Sequence, residues 1–232
     1  MQGIGIGSAG PLHAPSGTLL DPTNFGWKGP LKVKLTAELS RVLRIPVALE
    51  NDAAAAVLAE SWKGGGGKDC VVITLGTGVG VGVVCGGKLV RGARGLHPEG
   101  GHVLLRPGDL SAPCGCGLYG CAEAFLSGKN FAKRAATLLH EPGLTGAQLS
   151  ERAAAGDGRV LELFQDYSAL LAEFLQDLVV LYYPQRVILT GSFAAAHPHF
   201  LPLARKILED LLARRLKTIP LLPELRISRL SE

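Results

Sequence analysis

Three observations predict an α/β fold for this chain. Short apolar runs such as Cys70–Leu75 and Arg186–Thr190 alternate with longer segments of helical spacing. A Gly86-Gly87 pair separates two apolar runs, which is a hairpin signal. Residues 158–182 carry apolar side chains around most of a helix, from Leu161 through Phe164, Leu171 and Leu178, and Pro184 ends it. No repeat of the solenoid kind interrupts this alternation.

Composition sets the outer bounds. A chain of 232 residues fits one large domain or two small lobes. Hydrophobic residues at 47% and charged residues at 19% describe a globular protein with a sizeable core. The net charge of +4 is mildly basic, but aromatics make up only 6%, and nucleic-acid surfaces usually interleave a basic stripe with aromatics. The densest basic run, Arg205 to Lys217, alternates with leucines and reads as a solvated helix face. MQGIGIGSAG has neither a charged n-region nor an apolar h-region, so no signal peptide is expected, and no run of 18 apolar residues exists; with the composition above, neither nucleic acid nor membrane is an expected partner. Three of the five cysteines fall in one cluster, and Cys70 and Cys85 lie in strand-like runs. That usage suits a reducing cytoplasm better than a disulfide framework.

In chain order, residues 2–7 read as a short strand entering a turn at Ser8–Pro11. The GxGxxG match at 5–10 leads into a loop, where a dinucleotide fingerprint requires a helix, so it is set aside. Residues 13–30 form a Pro/Gly-rich loop holding Asn24, a turn former or a hydroxyl ligand. Leu31, Leu35, Leu39 and Val42 predict a helix over 31–43, and residues 46–49 a buried strand. That strand delivers Glu50-Asn51-Asp52 to an alanine-rich helix ending near Trp62, where Asp52 reads as an N-cap and can also face a cleft. The run from Lys63 to Lys68 lacks the Ser/Thr of a P-loop and precedes a strand, so a flexible surface loop is expected. Residues 70–90 predict an antiparallel meander containing Gly76-Thr77-Gly78, either a plain tight turn or one that lets backbone N–H groups and a hydroxyl approach a phosphate. Helices follow at 122–126, which Gly128 is expected to break, and at about 129–139, 145–154, 158–182 and 199–215, with a buried strand at 186–190 ending on Gly191.

The stretch from Glu99 to Glu123 is the densest in chemistry. Cys114, Cys116 and Cys121 are too cramped for one helix face, but glycines at 115, 117 and 120 let the backbone wrap inward. With His102 as fourth ligand they form a closed Cys3His set that suits structural zinc. The alternatives are reduced, buried cysteines, or a Cys114–Cys121 disulfide that would leave Cys116 unexplained.

The pattern Glu99-x-x-His102 followed by Cys114-Gly-Cys116-Gly-x-x-Gly-Cys121-x-Glu123 resembles the signature of the ROK family of sugar kinases and sugar-responsive repressors. The resemblance implies an actin-like, ribonuclease-H-like two-lobed fold, with residues 1–48 a remnant of the small lobe and 49–232 the large lobe carrying the zinc loop at 99–123. It implies ATP-dependent phosphorylation of a hexose, glucose first, with N-acetylmannosamine and fructose behind it. Asp52 would be the general base, and Asn24, Asn51, Glu99, His102 and Glu123 would hold sugar hydroxyls. Gly76, Thr77, Gly78 and Gly191 would hold the nucleotide, with Mg²⁺ accompanying ATP. His102 would join the two sites, one ring nitrogen on zinc and the other on the sugar. The family often forms dimers, so a homodimer is a candidate partner state. The family's Asp-x-Gly-Gly-Thr phosphate turn has no counterpart in this sequence. The chain is therefore expected to be shortened at that motif and at its C-terminus, and a non-catalytic sugar-binding protein is the alternative function.

Overall fold

The computed structural model describes residues 2–20, 31–215 and 219–230. It is a mixed α/β structure, as the alternation predicts. Asn24 lies outside the described residues.

The large sheet follows from period-two burial on both faces. Strands β6 (Cys70–Leu75), β7 (Val79–Cys85), β8 (Lys88–Leu89), β9 (Arg186–Thr190) and β10 (Glu224–Ile227) order as β10-β9-β6-β7-β8. The pairs β10–β9 and β9–β6 are parallel, while β6–β7 and β7–β8 are antiparallel, so the meander of 70–90 is present. Val71, Ile73, Leu75, Val187 and Leu189 face one layer of helices. Cys70, Val72, Val84 and Ile188 face the other side, against Val57. Covering both faces explains why β6 is apolar at nearly every position instead of alternating with polar residues.

Helices α3 (Ala122–Leu126), α4 (Gly128–Leu139), α5 (Gly146–Ala154), α6 (Gly158–Tyr182) and α7 (Leu201–Ala213) form the thick layer. Its centre is aromatic. Phe131 lies 4.9 Å from Phe164 and Tyr167 lies 4.9 Å from Phe200, centroid to centroid. The fully buried Tyr167 hydroxyl donates to the Leu126 carbonyl at 2.9 Å, so its one polar atom is satisfied. Thr145 opens α5 with a capping box to Gln148. The break between α3 and α4 falls on Ser127, in extended conformation, and not on Gly128 as expected. Ser127 caps α4 by accepting from the Asn130 N–H, and Gly128 is already helical. The last helix also starts later than predicted, because Ser192–His199 coils as a 3-10 segment containing Pro198.

The first fifty residues build smaller sheets. Strand β1 (Ile4–Ser8) pairs in parallel with β5 (Val47–Asn51), and β2 (Leu12–His13), β3 (Thr18–Leu20) and β4 (Lys32–Val33) form an antiparallel three-stranded sheet. Helix α1 covers Leu35–Leu43 only. Leu31 fits the helical spacing of Leu35, Leu39 and Val42, yet Lys32–Val33 is a strand with Val33 opposite Leu19, and that pairing decides the local structure. The strand expected to be buried is half exposed. Of residues 46–49 only Leu49 is buried, in a small cluster with Leu12 and Leu19.

Helix α2 (Asp52–Trp62) joins the two regions, running from the end of β5 across the outer face of β6 and β7. The glycine run after it is not the flexible loop expected. Gly66 N–H donates to the Glu60 carbonyl at 2.7 Å, Ser61 Oγ to the Gly67 carbonyl at 2.6 Å, and Arg226 to the Gly65 carbonyl at 2.9 Å. Glu60, 3% exposed, accepts a short hydrogen bond from Ser228 Oγ. These contacts pin the far end of α2 to β10.

Candidate active site and metal centre

Strands β5, β6 and β9 each end at one cleft. Ligand sites of α/β proteins gather at the carboxyl ends of their strands, where the turns carry free backbone groups. Here the ends are Asn51-Asp52, Gly76-Thr77-Gly78 and Gly191. All of them line a cavity of about 760 Å³, together with Glu99, His102 and Glu123.

Asn51, and not Asp52, is the N-cap of α2. Its side chain accepts from the Ala54 N–H at 3.1 Å, and it is 5% exposed. The cap fixes the start of the helix, so Asp52 stands at its first turn, lining the cavity, and among the described residues its carboxylate accepts only its neighbour's N–H, from Ala53 at 2.8 Å. Glu50 accepts two hydrogen bonds from Arg91, tying β5 to the loop after β8.

The turn Gly76–Gly78 is closed by a Gly76 N–H to Gly78 carbonyl bond of 3.1 Å. Thr77 is exposed at its tip. Gly191 stands beside this turn with φ +93, and a Cβ there would lie 2.4 Å from the Leu75 carbonyl oxygen, so only glycine fits. It lines the Asp52 cleft, whereas its neighbours Ser192 and Phe193 line a second cavity behind the turn.

The segment from Val103 to Cys121 folds back on itself as a knuckle. Leu104 bridges to Cys121 and Pro113 to Tyr119, and the Ala122 N–H donates to the Val103 carbonyl at 2.8 Å. Gly120, at φ +80, is required for this return, since a Cβ would meet the Arg106 carbonyl oxygen at 1.7 Å. The result gathers His102, Cys114, Cys116 and Cys121 with all four ligand atoms within 4.8 Å of one another. His102 Nδ1 is 3.4 Å from Cys114 Sγ, and Cys116 Sγ is 3.7 Å from Cys121 Sγ. Tetrahedral zinc, with Zn–S near 2.3 Å and Zn–N of about 2.0–2.1 Å, puts sulfurs about 3.8 Å apart and sulfur and nitrogen about 3.6 Å apart. The donor set and its spacing therefore fit zinc. Burial pushes the Cys114 and Cys121 thiols up. A cation is what would convert such thiols to thiolates at neutral pH.

The knuckle is wired to the cleft. Glu123 Oε2 accepts the Val79 N–H at 3.1 Å, at the edge of the Gly76–Gly78 turn, and Glu123 Oε1 lies 3.5 Å from Cys114 Sγ. His102 turns Nδ1 to the cysteines and Nε2 toward Glu99, 3.9 Å away. Glu99 Oε1 also pairs with His97 Nε2 at 2.8 Å, and that hydrogen bond holds the Glu99 carboxyl below its ordinary value. His97 is a site residue that motif reading misses. Its side chain is 7% exposed and packs against Gly10, and the one signal for it is its place two residues before Glu99. Thr74 and Lys129 line the cleft as well, and no spacing rule marks either.

The fold and site thus define an α/β protein whose cleft, rich in carboxylates, is braced by a knuckle of four candidate metal ligands. The chain matches the ROK family over residues 1–229, and it belongs to that family. It is 32% identical over 210 residues to a glucokinase of Halalkalibacterium halodurans, covering 84% of this chain and 62% of the relative. It is 36% identical over 197 residues to an N-acetylmannosamine kinase of Escherichia fergusonii, covering 84% of this chain and 65% of that one. The chain thus spans less than two thirds of the length of these relatives. Among solved structures, a ROK family glucokinase from Streptomyces griseus in complex with glucose and AMPPNP superposes with a TM-score of 0.79 at 31% identity, covering 98% of this chain and 76% of that one. No helix among the described residues is long and apolar enough to cross a membrane.

Proposed function

We propose that the chain acts in phosphoryl transfer from ATP to a hydroxyl of a hexose, with Asp52 as general base. One observation carries this reading: a candidate base (Asp52), four candidate hydroxyl ligands (Asn51, Glu99, His102 and Glu123) and a glycine turn suited to phosphate line one cleft. In the reaction a sugar hydroxyl oxygen bonds to the γ-phosphorus while the bond from that phosphorus to the ADP oxygen breaks. The hydroxyl proton passes to the Asp52 carboxylate. An ordinary carboxylate suffices because that proton leaves late, when the oxygen has already become acidic.

The remaining residues position the partners. Asn51 has its oxygen committed to the cap, so its amide N–H groups are what it can offer a hydroxyl. Glu99 and Glu123 accept from hydroxyls through their remaining lone pairs, and His102 Nε2–H donates to one. Zinc, when bound, would lock the His102 tautomer and hold the knuckle that carries these groups, with no direct part in the chemistry. The backbone of Gly76–Gly78, the Thr77 hydroxyl and Gly191 face the nucleotide phosphates, whose charge Mg²⁺ carried with ATP would partly neutralise. Residues 1–48 act as small-lobe structure and the rest as the large lobe. Glucose is the first-choice substrate, supported by the glucokinase relatives, and N-acetylmannosamine is the second.

The test is sugar-dependent ATP turnover by the zinc-loaded chain, measured with glucose and N-acetylmannosamine, beside calorimetric titration with each sugar alone. Turnover above the sugar-free rate supports the reading. Sugar binding without turnover would leave a sugar-binding protein, and neither would overturn both.

A further inference from the structure

Two cavities meet at the Gly76–Gly78 turn. One is the Asp52 cleft, and the other, also about 760 Å³, opens between the turn and helices α4 and α5. Gly76, Thr77 and Lys129 line both. Their closeness has a cause in the backbone: Gly128 N–H donates to the Gly76 carbonyl at 2.9 Å, which stitches the start of α4 to the turn.

Charge makes Lys129 stand out. Among the described residues lining the two cavities it is the single lysine or arginine, against the carboxylates of Asp52, Glu99, Glu123 and Glu151. Its ammonium is exposed and has no side-chain partner among the described residues. It also sits in the first turn of a 12-residue helix, the end where the dipole disfavours a cation, so helix stability does not account for it. A polyphosphate running from the second cavity to a hydroxyl at Asp52 must cross the boundary that Thr77 and Lys129 share.

Resting on the phosphotransferase reading above, we propose that Lys129 is a catalytic residue that binds the phosphate oxygens where the nucleotide and sugar cavities join. As the new O–P bond forms and the bond to ADP breaks, negative charge grows on the γ-phosphoryl and leaving oxygens. The Lys129 ammonium neutralises part of it, stays protonated and transfers no proton.

Inorganic tripolyphosphate and glucose, titrated separately into zinc-loaded wild type, Lys129→Met and Lys129→Arg, test this by calorimetry. Lys129→Met should weaken tripolyphosphate binding about tenfold or more, and Lys129→Arg should restore most of it, since either cation can serve as the charge. Glucose affinity should stay the same in all three. In ATP turnover, Lys129→Met should lower kcat by about 10²-fold, the scale of losing one charge-stabilising donor. Equal tripolyphosphate binding by wild type and Lys129→Met, or none by wild type, overturns the role of Lys129 while glucose binding persists. Absence of glucose binding to wild type overturns the sugar-kinase reading instead. Lys129 is exposed, so thermal melting of Lys129→Met should match wild type and separate these outcomes from misfolding.

Discussion

Strands β5 and β6 end side by side at the same cleft, yet they are held there in opposite ways. β6 lies between β9 and β7, with Val71, Val72 and Ile73 all fully buried and helices on both faces. Among the described residues β5 has one sheet partner, β1, and only Leu49 and Asn51 are buried along it. The turn after β6 is thus fixed by the core, while Asp52 after β5 is fixed by local polar contacts: the Asn51 cap, the Arg91–Glu50 pair and the packing of α2 on the large sheet. The general lesson is that two sides of one cleft can be held by different means, the proposed phosphate turn by the core and the proposed base by contacts at its edge.

Several measurements would break or sharpen this contrast. The largest effect belongs to Asp52→Asn, which should reduce phosphoryl transfer by about 10²–10⁴-fold, the range of a general base, with sugar affinity changed little. Similar losses in both would show that Asp52 mainly binds. Next, chelating the metal should remove hydrogen-exchange protection from residues 103–121 and weaken sugar binding, with β6 amides protected as before. Unchanged sugar affinity in the metal-free protein would uncouple the knuckle from the cleft. In denaturant melts, Ile73→Ala in β6 should cost about 2–5 kcal/mol, whereas Val47→Ala in β5 should cost about 1 kcal/mol or less, because Val47 is already half exposed. Equal costs would refute the asymmetry. Asn51→Ala should cost about 1 kcal/mol as a lost cap and should also lower kcat by displacing Asp52. Smallest is Arg91→Ala, below about 1 kcal/mol, since the pair remains partly in solvent.

Legibility in the sequence followed the range of the interactions. Helix α6 could be read as 158–182 because its apolar positions and the Pro184 stop are local, and the structure places it at Gly158–Tyr182. The ligand cluster was legible for the same reason, as all four residues fall within twenty positions. Over residues 31–43 the spacing of Leu31 and Leu35 points to a helix, but Val33 between them has a sheet partner fourteen positions away that no local pattern shows. The Lys63–Lys68 run looked free because what clamps it, Arg186 and Arg226, lies 120 and 161 residues further on. His97 and Lys129 belong to no motif. Only the folded arrangement shows that one packs on Gly10 and the other joins two cavities.

Helix α2 has a further consequence. Eleven residues make a rod about 16 Å long, with Asp52 at one tip and Glu60 near the other, where Ser228 grips it. Because α2 also packs along β6 and β7, the Ser228 contact anchors the rod at the end opposite Asp52 and fixes how it lies on the sheet.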